Sequence, residues 1–237
     1  RWGTFGPVPE LDSLGNKTGK KTPVGHKFAV EYMDHLVGKI INELDSLDLT
    51  ENTVIVFTTD NGSPGKGKGH LQSENGIRVP LIVSCPGYIP QGKSTSSFTQ
   101  LADVFPSIVD IADLTVPDSV KLDGISFLPA VEKDSLVRHW LYSYLNYKHA
   151  FRYKDYYLDA DDSLWYCDLQ TDGDIIYSHV PDTSRKAAVV EARKEFKKLN
   201  QLYPGADTIN NPKYERLKKV QQHFTNMIND ITSSNSH

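Results

Sequence analysis

Thr53-Val54-Ile55-Val56-Phe57-Thr58-Thr59-Asp60-Asn61-Gly62 is the stretch on which the fold of this chain turns. Residues Thr53 to Thr59 are all β-branched or aromatic, which reads as a buried central strand. Upstream, Ala29, Met33, Leu36 or Val37, Ile40, Leu44 and Leu47 recur at helical spacing, with Glu31, Asp34, Lys39, Asn42, Glu43 and Asp45 between them. That pattern predicts a long amphipathic helix over 28–47, packed on something larger. The polar turn Leu49-Thr50-Glu51-Asn52 then leads into the strand. Helix, short turn and buried strand make one unit of a parallel α/β sheet. In such sheets ligands bind beyond the carboxyl ends of the strands, where Asp60 and Asn61 stand. Two adjacent oxygen donors suit a hard cation, calcium or magnesium, better than zinc. Asp-Asn-Gly is equally a favoured turn tripeptide, and on those three residues alone the turn reading leads.

Working outward, Gly62-Ser63-Pro64-Gly65-Lys66-Gly67-Lys68-Gly69 matches the glycine-rich phosphate-loop pattern as far as its lysine. The match then fails. Gly69 stands where a Ser or Thr would hold magnesium, and the chain runs through Asn75-Gly76 into another strand rather than opening a helix. What survives is a loop whose glycines permit close backbone approach, with Lys66 and Lys68 able to reach an anion. A solvated loop is the commoner fate of such lysines. Val79-Pro80-Leu81-Ile82-Val83-Ser84 reads as a second short strand, and 103–114 as a further helix with Val104, Phe105, Ile108, Val109 and Ala112 along one stripe.

The rest of the chain frames this unit. Residues 1–25 are punctuated by glycine and proline and read as loop, without the apolar run of a secretory leader. From about Val137 the texture turns tyrosine-rich. Trp140–Tyr144, Tyr153–Leu158 and Leu164–Leu169 read as antiparallel strands of a smaller sheet, and two charged amphipathic helices are expected near 183–202 and 212–231. With 237 residues the chain is long enough to bury a real core. Lys plus Arg number 26 against 30 Asp plus Glu, a net charge of −4 that excludes a globally basic nucleic-acid binder. No apolar run approaches the roughly 18 residues of a membrane span. The two cysteines, Cys85 and Cys167, allow at most one disulfide.

Several ordered motifs together resemble the second half of a type I sulfatase, over roughly residues 28–175. They are Tyr32-Met33-Asp34-His35-Leu36-Val37-Gly38; Thr53 to Gly62; Gly67-Lys68-Gly69 with its preceding Gly-Lys; Glu74-Asn75-Gly76-Ile77-Arg78-Val79-Pro80-Leu81-Ile82-Val83; Pro86-Gly87-Tyr88-Ile89-Pro90; Asp103-Val104-Phe105-Pro106-Ser107; Leu122-Asp123-Gly124-Ile125-Ser126-Phe127-Leu128-Pro129; and Trp165-Tyr166-Cys167-Asp168-Leu169. The resemblance implies an α/β alkaline-phosphatase-like sandwich, present in part, with a small C-terminal antiparallel sheet and helices. It divides the chain into 1–135, from the catalytic α/β domain, and 136–237, a smaller C-terminal α+β subdomain.

The same resemblance implies a site with one calcium ion, magnesium being the alternative, for which Asp60 and Asn61 match two ligands. Fold relatives that are phosphatases or phosphodiesterases carry Asp-His there and bind zinc, so Asn61 favours the sulfatase branch. Lys68 matches the lysine that contacts the substrate sulfate, though it stands a residue further from Glu74 than is usual in the family, and Lys66 is the alternative. His70 is a weaker candidate for substrate contact. Glu74 and Arg78 are expected to orient the loop or to pair internally. The family's nucleophile, a formylglycine made from a C/S-x-P-x-R motif, lies upstream of all these residues and has no counterpart here. Cys85 and Cys167 are read as structural or free thiols, and Asp161-Asp162 as a hairpin turn rather than the family's paired calcium ligands.

The implied activity is sulfuric ester hydrolysis, with this chain alone expected to be inactive. The alternatives are a non-catalytic fragment that binds sulfated ligands and a phosphatase or phosphodiesterase of the same superfold. The implied partners are a sulfated small molecule or glycan and the N-terminal part of the same enzyme, in an extracytoplasmic setting, whether periplasmic, secreted or lysosomal.

Overall fold

A computed structural model of the chain describes residues 6–63, 67–145, 148–171 and 173–203. The chain divides into two compact units, residues 1–57 with 81–92, and residues 58–80 with 93–237.

The first unit opens with a hairpin. Strand β1 (Pro9–Leu11) pairs antiparallel with β2 (Lys17–Lys21). Its turn is closed by Asp12, whose Oδ1 accepts the backbone N–H groups of Leu14 and Asn16, each at 2.9 Å. The loop expected over 1–25 is thus corrected. Asp12 supplies the turn chemistry that punctuation by glycine and proline alone concealed.

Helix α1 (His26–Ser46) forms almost where its periodicity placed it. None of its residues is fully buried, however, and Met33, Leu36 and Ile40 of the apolar stripe are exposed, as are Val30 and Ile41 beside it. A short 3₁₀ turn (Thr50–Asn52) leads to β3 (Ile55–Thr58), which pairs with β4 (Leu81–Ser84). Each residue of β3 is half-buried, and among the described residues it has the single neighbour β4. The expectation of a buried central strand is corrected to that extent.

In the second unit, α2 (Val104–Ile111) and α3 (Leu128–Lys133) are tied together by two buried side chains. Asp103 is wholly buried and paired with Arg138, and its oxygens accept the N–H groups of Gln100 and Ile125, both at 2.8 Å. One turn on, the Ser107 hydroxyl donates to the Asp103 carbonyl at 2.6 Å and accepts the Phe127 N–H at 2.8 Å. Gly124 lies on the Ala102 carbonyl, where a Cβ would come within 1.9 Å of the oxygen. These contacts explain two of the sequence motifs. Asp103-x-x-x-Ser107 offers its side chains to the backbone of Gly124-Ile125-Ser126-Phe127, and the glycine permits the approach.

The rest of this unit is an antiparallel meander of five strands in sequence order: β5 (Trp140–Leu145), β6 (Lys148–Tyr153), β7 (Tyr156–Leu158), β8 (Leu164–Leu169) and β9 (Ile175–His179). The single run expected at 153–158 is broken by a turn in which Lys154 adopts φ 49°. β6 and β9 were not expected. β6 escaped notice because both its faces are covered and it carries a buried arginine, so it shows no alternation of apolar and polar residues.

Successive residues of β6 point to opposite faces. Phe151 faces helix α4 (Ala187–Leu202), in a core with Leu164, Val180, Val189, Ala192, Phe196 and Leu199. Ala150 faces the other way and joins Leu71, Tyr157 and Cys167. The helix expected over 183–202 is α4, begun four residues late; that expected over 212–231 lies outside the described residues. Asp161-Asp162 does form the β7–β8 turn, with Asp162 at φ 60°. Asp159 organises that turn by accepting the N–H groups of Asp161, Ser163 and the Trp165 indole.

Candidate metal- and sulfate-binding loop

The loop that follows β3 is shaped by glycines. Gly62 donates its N–H to the Gly76 carbonyl at 2.9 Å, and a Cβ on Gly62 would fall 2.2 Å from the Asn75 carbonyl oxygen. Gly67, at φ 103°, presses against the same turn, so that a Cβ there would lie 2.6 Å from the Gly76 nitrogen. The 3₁₀ turn Glu74–Gly76 is therefore a template on which both ends of the Gly62–Gly67 segment rest. No side chain fits between the strands of backbone, which is why the motif needs glycine at these places.

Asp60 is exposed and Asn61 half-buried, side by side at the end of β3. Asp60 Oδ1 accepts the Asn61 N–H at 2.9 Å. The Asn61 side chain, with a smaller contribution from the charge of Lys68, holds the Asp60 carboxyl below the ordinary carboxylate range, so it is ionised at neutral pH. The Lys68 N–H donates to the Ser63 carbonyl at 3.4 Å and that of His70 to Gly67 at 3.0 Å. Lys68 is exposed and His70 half-buried. Lys66 lies outside the described residues.

Asp60, Asn61 and Lys68 thus sit on one short loop, with an electrostatic link between the first and the last. The donors are hard oxygens, as calcium requires, but they are two against the roughly six to eight that calcium takes. Among the described residues no group of three or more His, Cys, Asp or Glu side chains gathers as a metal site. The loop fits one side of a calcium site.

Glu74 and Arg78 are structural, as expected. The buried Glu74 carboxylate accepts Arg152 Nη1 at 2.6 Å and the Tyr177 hydroxyl at 3.2 Å. Arg78 Nη1 donates to the Gly173 carbonyl at 2.6 Å. Arg78, Asn75, Val79 and Pro80 also line a shallow cleft, a feature with no distinct sequence signal. Further along, Leu71 is buried, and its carbonyl accepts the Tyr157 hydroxyl at 2.7 Å and the Ala160 N–H at 3.2 Å.

The cysteines stand clear of this loop's chemistry. Both are free and buried, and burial raises the thiol of each, that of Cys167 to about 12. Among the described residues no helix is long and apolar enough to cross a membrane.

Comparison with known proteins finds likeness over a segment that includes this loop. The family model described as Sulfatase matches residues 28–114. Human steryl-sulfatase is 34% identical over 141 residues, a match spanning 50% of this chain and 24% of that protein. Human arylsulfatase D is 35% identical over 120 residues, spanning 44% of this chain and 20% of that protein. A sulfatase of Formosa agariphila is 27% identical over 209 residues, 70% of this chain and 38% of its own. The chain therefore spans well under half the length of these relatives.

Among solved structures, Ps i-CgsB in complex with k-i-k-neocarrahexaose superposes with a TM-score of 0.57 at 22% identity, over 81% of this chain and 46% of its own. A phosphonate monoester hydrolase from Silicibacter pomeroyi gives 0.51 at 20% identity, over 76% and 40%. These likenesses show the alkaline-phosphatase-like fold. Over the segment 28–114 the chain is therefore similar to the sulfatases, and it carries part of the fold they share.

Proposed function

We propose that the protein to which this chain belongs is a sulfuric ester hydrolase, and that Asp60, Asn61 and Lys68 form one wall of its site. The observation that carries this reading is the ionised, exposed Asp60 next to Asn61, on the same glycine-shaped loop as Lys68. Asp60 and Asn61 would hold a calcium ion, with magnesium the second choice. When bound, that ion supplies positive charge to the sulfate oxygens as charge develops on the leaving group.

The chain's own part is electrostatic. Lys68 presents an ammonium to a sulfate oxygen, and Lys66 is the alternative for that role. His70, on the same loop, is the weaker candidate for contact with the substrate. None of these groups has to lose or gain a proton, which suits an ester that gains little from protonation. The nucleophile, a formylglycine, and the remaining metal ligands come from sequence outside this chain, so the chain alone binds without turnover. In domain terms, 1–135 belongs to the catalytic α/β domain and 136–237 to the smaller C-terminal subdomain.

The substrate is a sulfated small molecule or glycan. Support comes from a structural neighbour that holds D-glucosamine-2-N,6-O-disulfate as its substrate. The setting is extracytoplasmic, as for the family in general.

Calorimetric titration of the full-length protein with calcium, beside an aryl sulfate assay, tests the reading. Asp60→Ala should abolish both calcium binding and turnover while leaving the fold intact by circular dichroism. Zinc binding with phosphate ester turnover instead would favour the phosphatase branch. Calcium and sulfate binding without turnover would mark a non-catalytic binding protein.

A further inference from the structure

We propose that Tyr177 and Arg152, on the antiparallel sheet, are positioning residues for the loop that carries Lys68 and His70, acting through Glu74. The inference rests on the sulfatase reading for its functional consequence, and on geometry alone for the clasp itself.

The clasp is a three-residue arrangement. The Glu74 backbone N–H donates to the Tyr177 hydroxyl at 3.2 Å, and that hydroxyl donates in turn to Glu74 Oε2, also at 3.2 Å. Tyr177 therefore holds the residue by both its main chain and its side chain. Arg152 completes the grip with Nη1 on the same Oε2 at 2.6 Å. The arginine is itself oriented, since its Nε donates to the Lys154 carbonyl at 2.5 Å and its guanidinium lies 5.7 Å from the centre of the Phe98 ring. Both members of the ion pair are about nine-tenths buried, so losing one leaves the other as an uncompensated charge.

Glu74 transmits this to the loop because it begins the 3₁₀ turn that ends at Gly76. The Gly76 Cα faces the Gly67 carbonyl and the His70 carbonyl so closely that a Cβ would come within 2.0 and 2.9 Å of their oxygens. A backbone with so little clearance cannot shift at Glu74 without moving Gly67 and His70. The far end of the loop is held independently by Tyr157 and Ala160 on the Leu71 carbonyl. Lys68 is thus suspended between two fixed points, one of them set by Tyr177 and Arg152. An exposed lysine on a glycine-rich loop acquires a defined position this way, at low cost in its own ordering.

The test compares Tyr177→Phe, Glu74→Gln, Arg152→Lys and Arg152→Met in the full-length protein. Amide hydrogen exchange is followed at Lys68 and His70, with inorganic sulfate as inhibitor in the ester assay. Losing a hydrogen bond to a charged group should speed exchange at those two amides by about tenfold, and weaken the sulfate inhibition constant by a similar factor. Arg152→Lys should restore most of what Arg152→Met loses. The inhibition constant matters because a merely smaller folded fraction would leave it unchanged.

Unchanged exchange in Tyr177→Phe and Glu74→Gln overturns the proposal. So does a speed-up shared by β8 and α4, or an unchanged inhibition constant beside faster loop exchange. If the wild-type protein is not inhibited by sulfate, the sulfatase reading fails, while the exchange rates still decide whether the clasp exists.

Discussion

Gly76 and Gly67 meet backbone to backbone, with no room between the Gly76 Cα and the Gly67 carbonyl oxygen for even a methyl group. Gly76→Ala should therefore destabilise the fold by about 1–3 kcal/mol, in the range of overpacking, and weaken calcium and sulfate binding together. Urea denaturation and calorimetry on the same preparation check both. Gly69, at φ 82° but with open space around its Cα, should tolerate alanine with only the smaller cost of its backbone conformation.

Asp103 should be the most sensitive carboxylate for stability. It is fully buried, paired with Arg138, and accepts two backbone N–H groups. Removing it leaves the Arg138 charge buried and two amides without acceptors. Asp103→Ala is expected to cost about 3–5 kcal/mol by chemical denaturation. The surface pair of Lys154 and Glu191, each about half exposed, should contribute little by comparison, and less still in salt.

The two candidate lysines separate by substitution. Lys68→Ala should lower kcat/KM for a sulfate ester by about a hundredfold or more, as loss of a donor aimed at developing charge does. Lys66→Ala should leave it within a fewfold of wild type. The opposite ranking would move the sulfate contact to Lys66.

The thiols give a pH-dependent test. Burial pushes Cys167 up to about 12 from an ordinary 9.0, so the folded state favours the protonated thiol. Its contribution to stability is fully present below pH 9 and is lost as pH rises toward 12. Both cysteines should stay unreactive to a thiol reagent in the native protein and react fully in denaturant.

Asp161 titrates in the opposite sense. Its hydrogen bond from Lys148 holds the carboxyl below the ordinary 3.8, with a smaller contribution from Gln72. Its stabilising contribution is present above pH 3.8 and disappears as pH falls through the lower folded value. NMR titration should find the midpoint below 3.8, and Lys148→Met should raise it.

What was legible in the chain followed from local rules. The 3.6-residue repeat located α1, and the β-branched run ending in Asp60-Asn61 located both β3 and the candidate ligands. The glycines of the loop marked close approach, which Gly62 and Gly67 make. What was not legible depended on partners far away in sequence. β6 hides because Arg152, a residue that reads as surface, is buried against Glu74, 78 positions earlier. The β1–β2 hairpin hides because its turn is made by one side chain, Asp12. The Glu74 clasp had no local signature at all, since Tyr177 is one tyrosine among many.

The five strands of the meander each pair only with their neighbours in sequence, whereas the Glu74 clasp must wait for segments 78 and 103 positions apart to meet. Short-range pairings close quickly and long-range ones slowly, because the longer loop carries the larger entropy of closure. Assembly is therefore expected to follow a temporal order. The C-terminal sheet is expected to form early, and only then to offer Arg152 and Tyr177 as a finished surface on which the earlier, glycine-rich loop is cast. The glycine-rich loop is translated first and is expected to be shaped last.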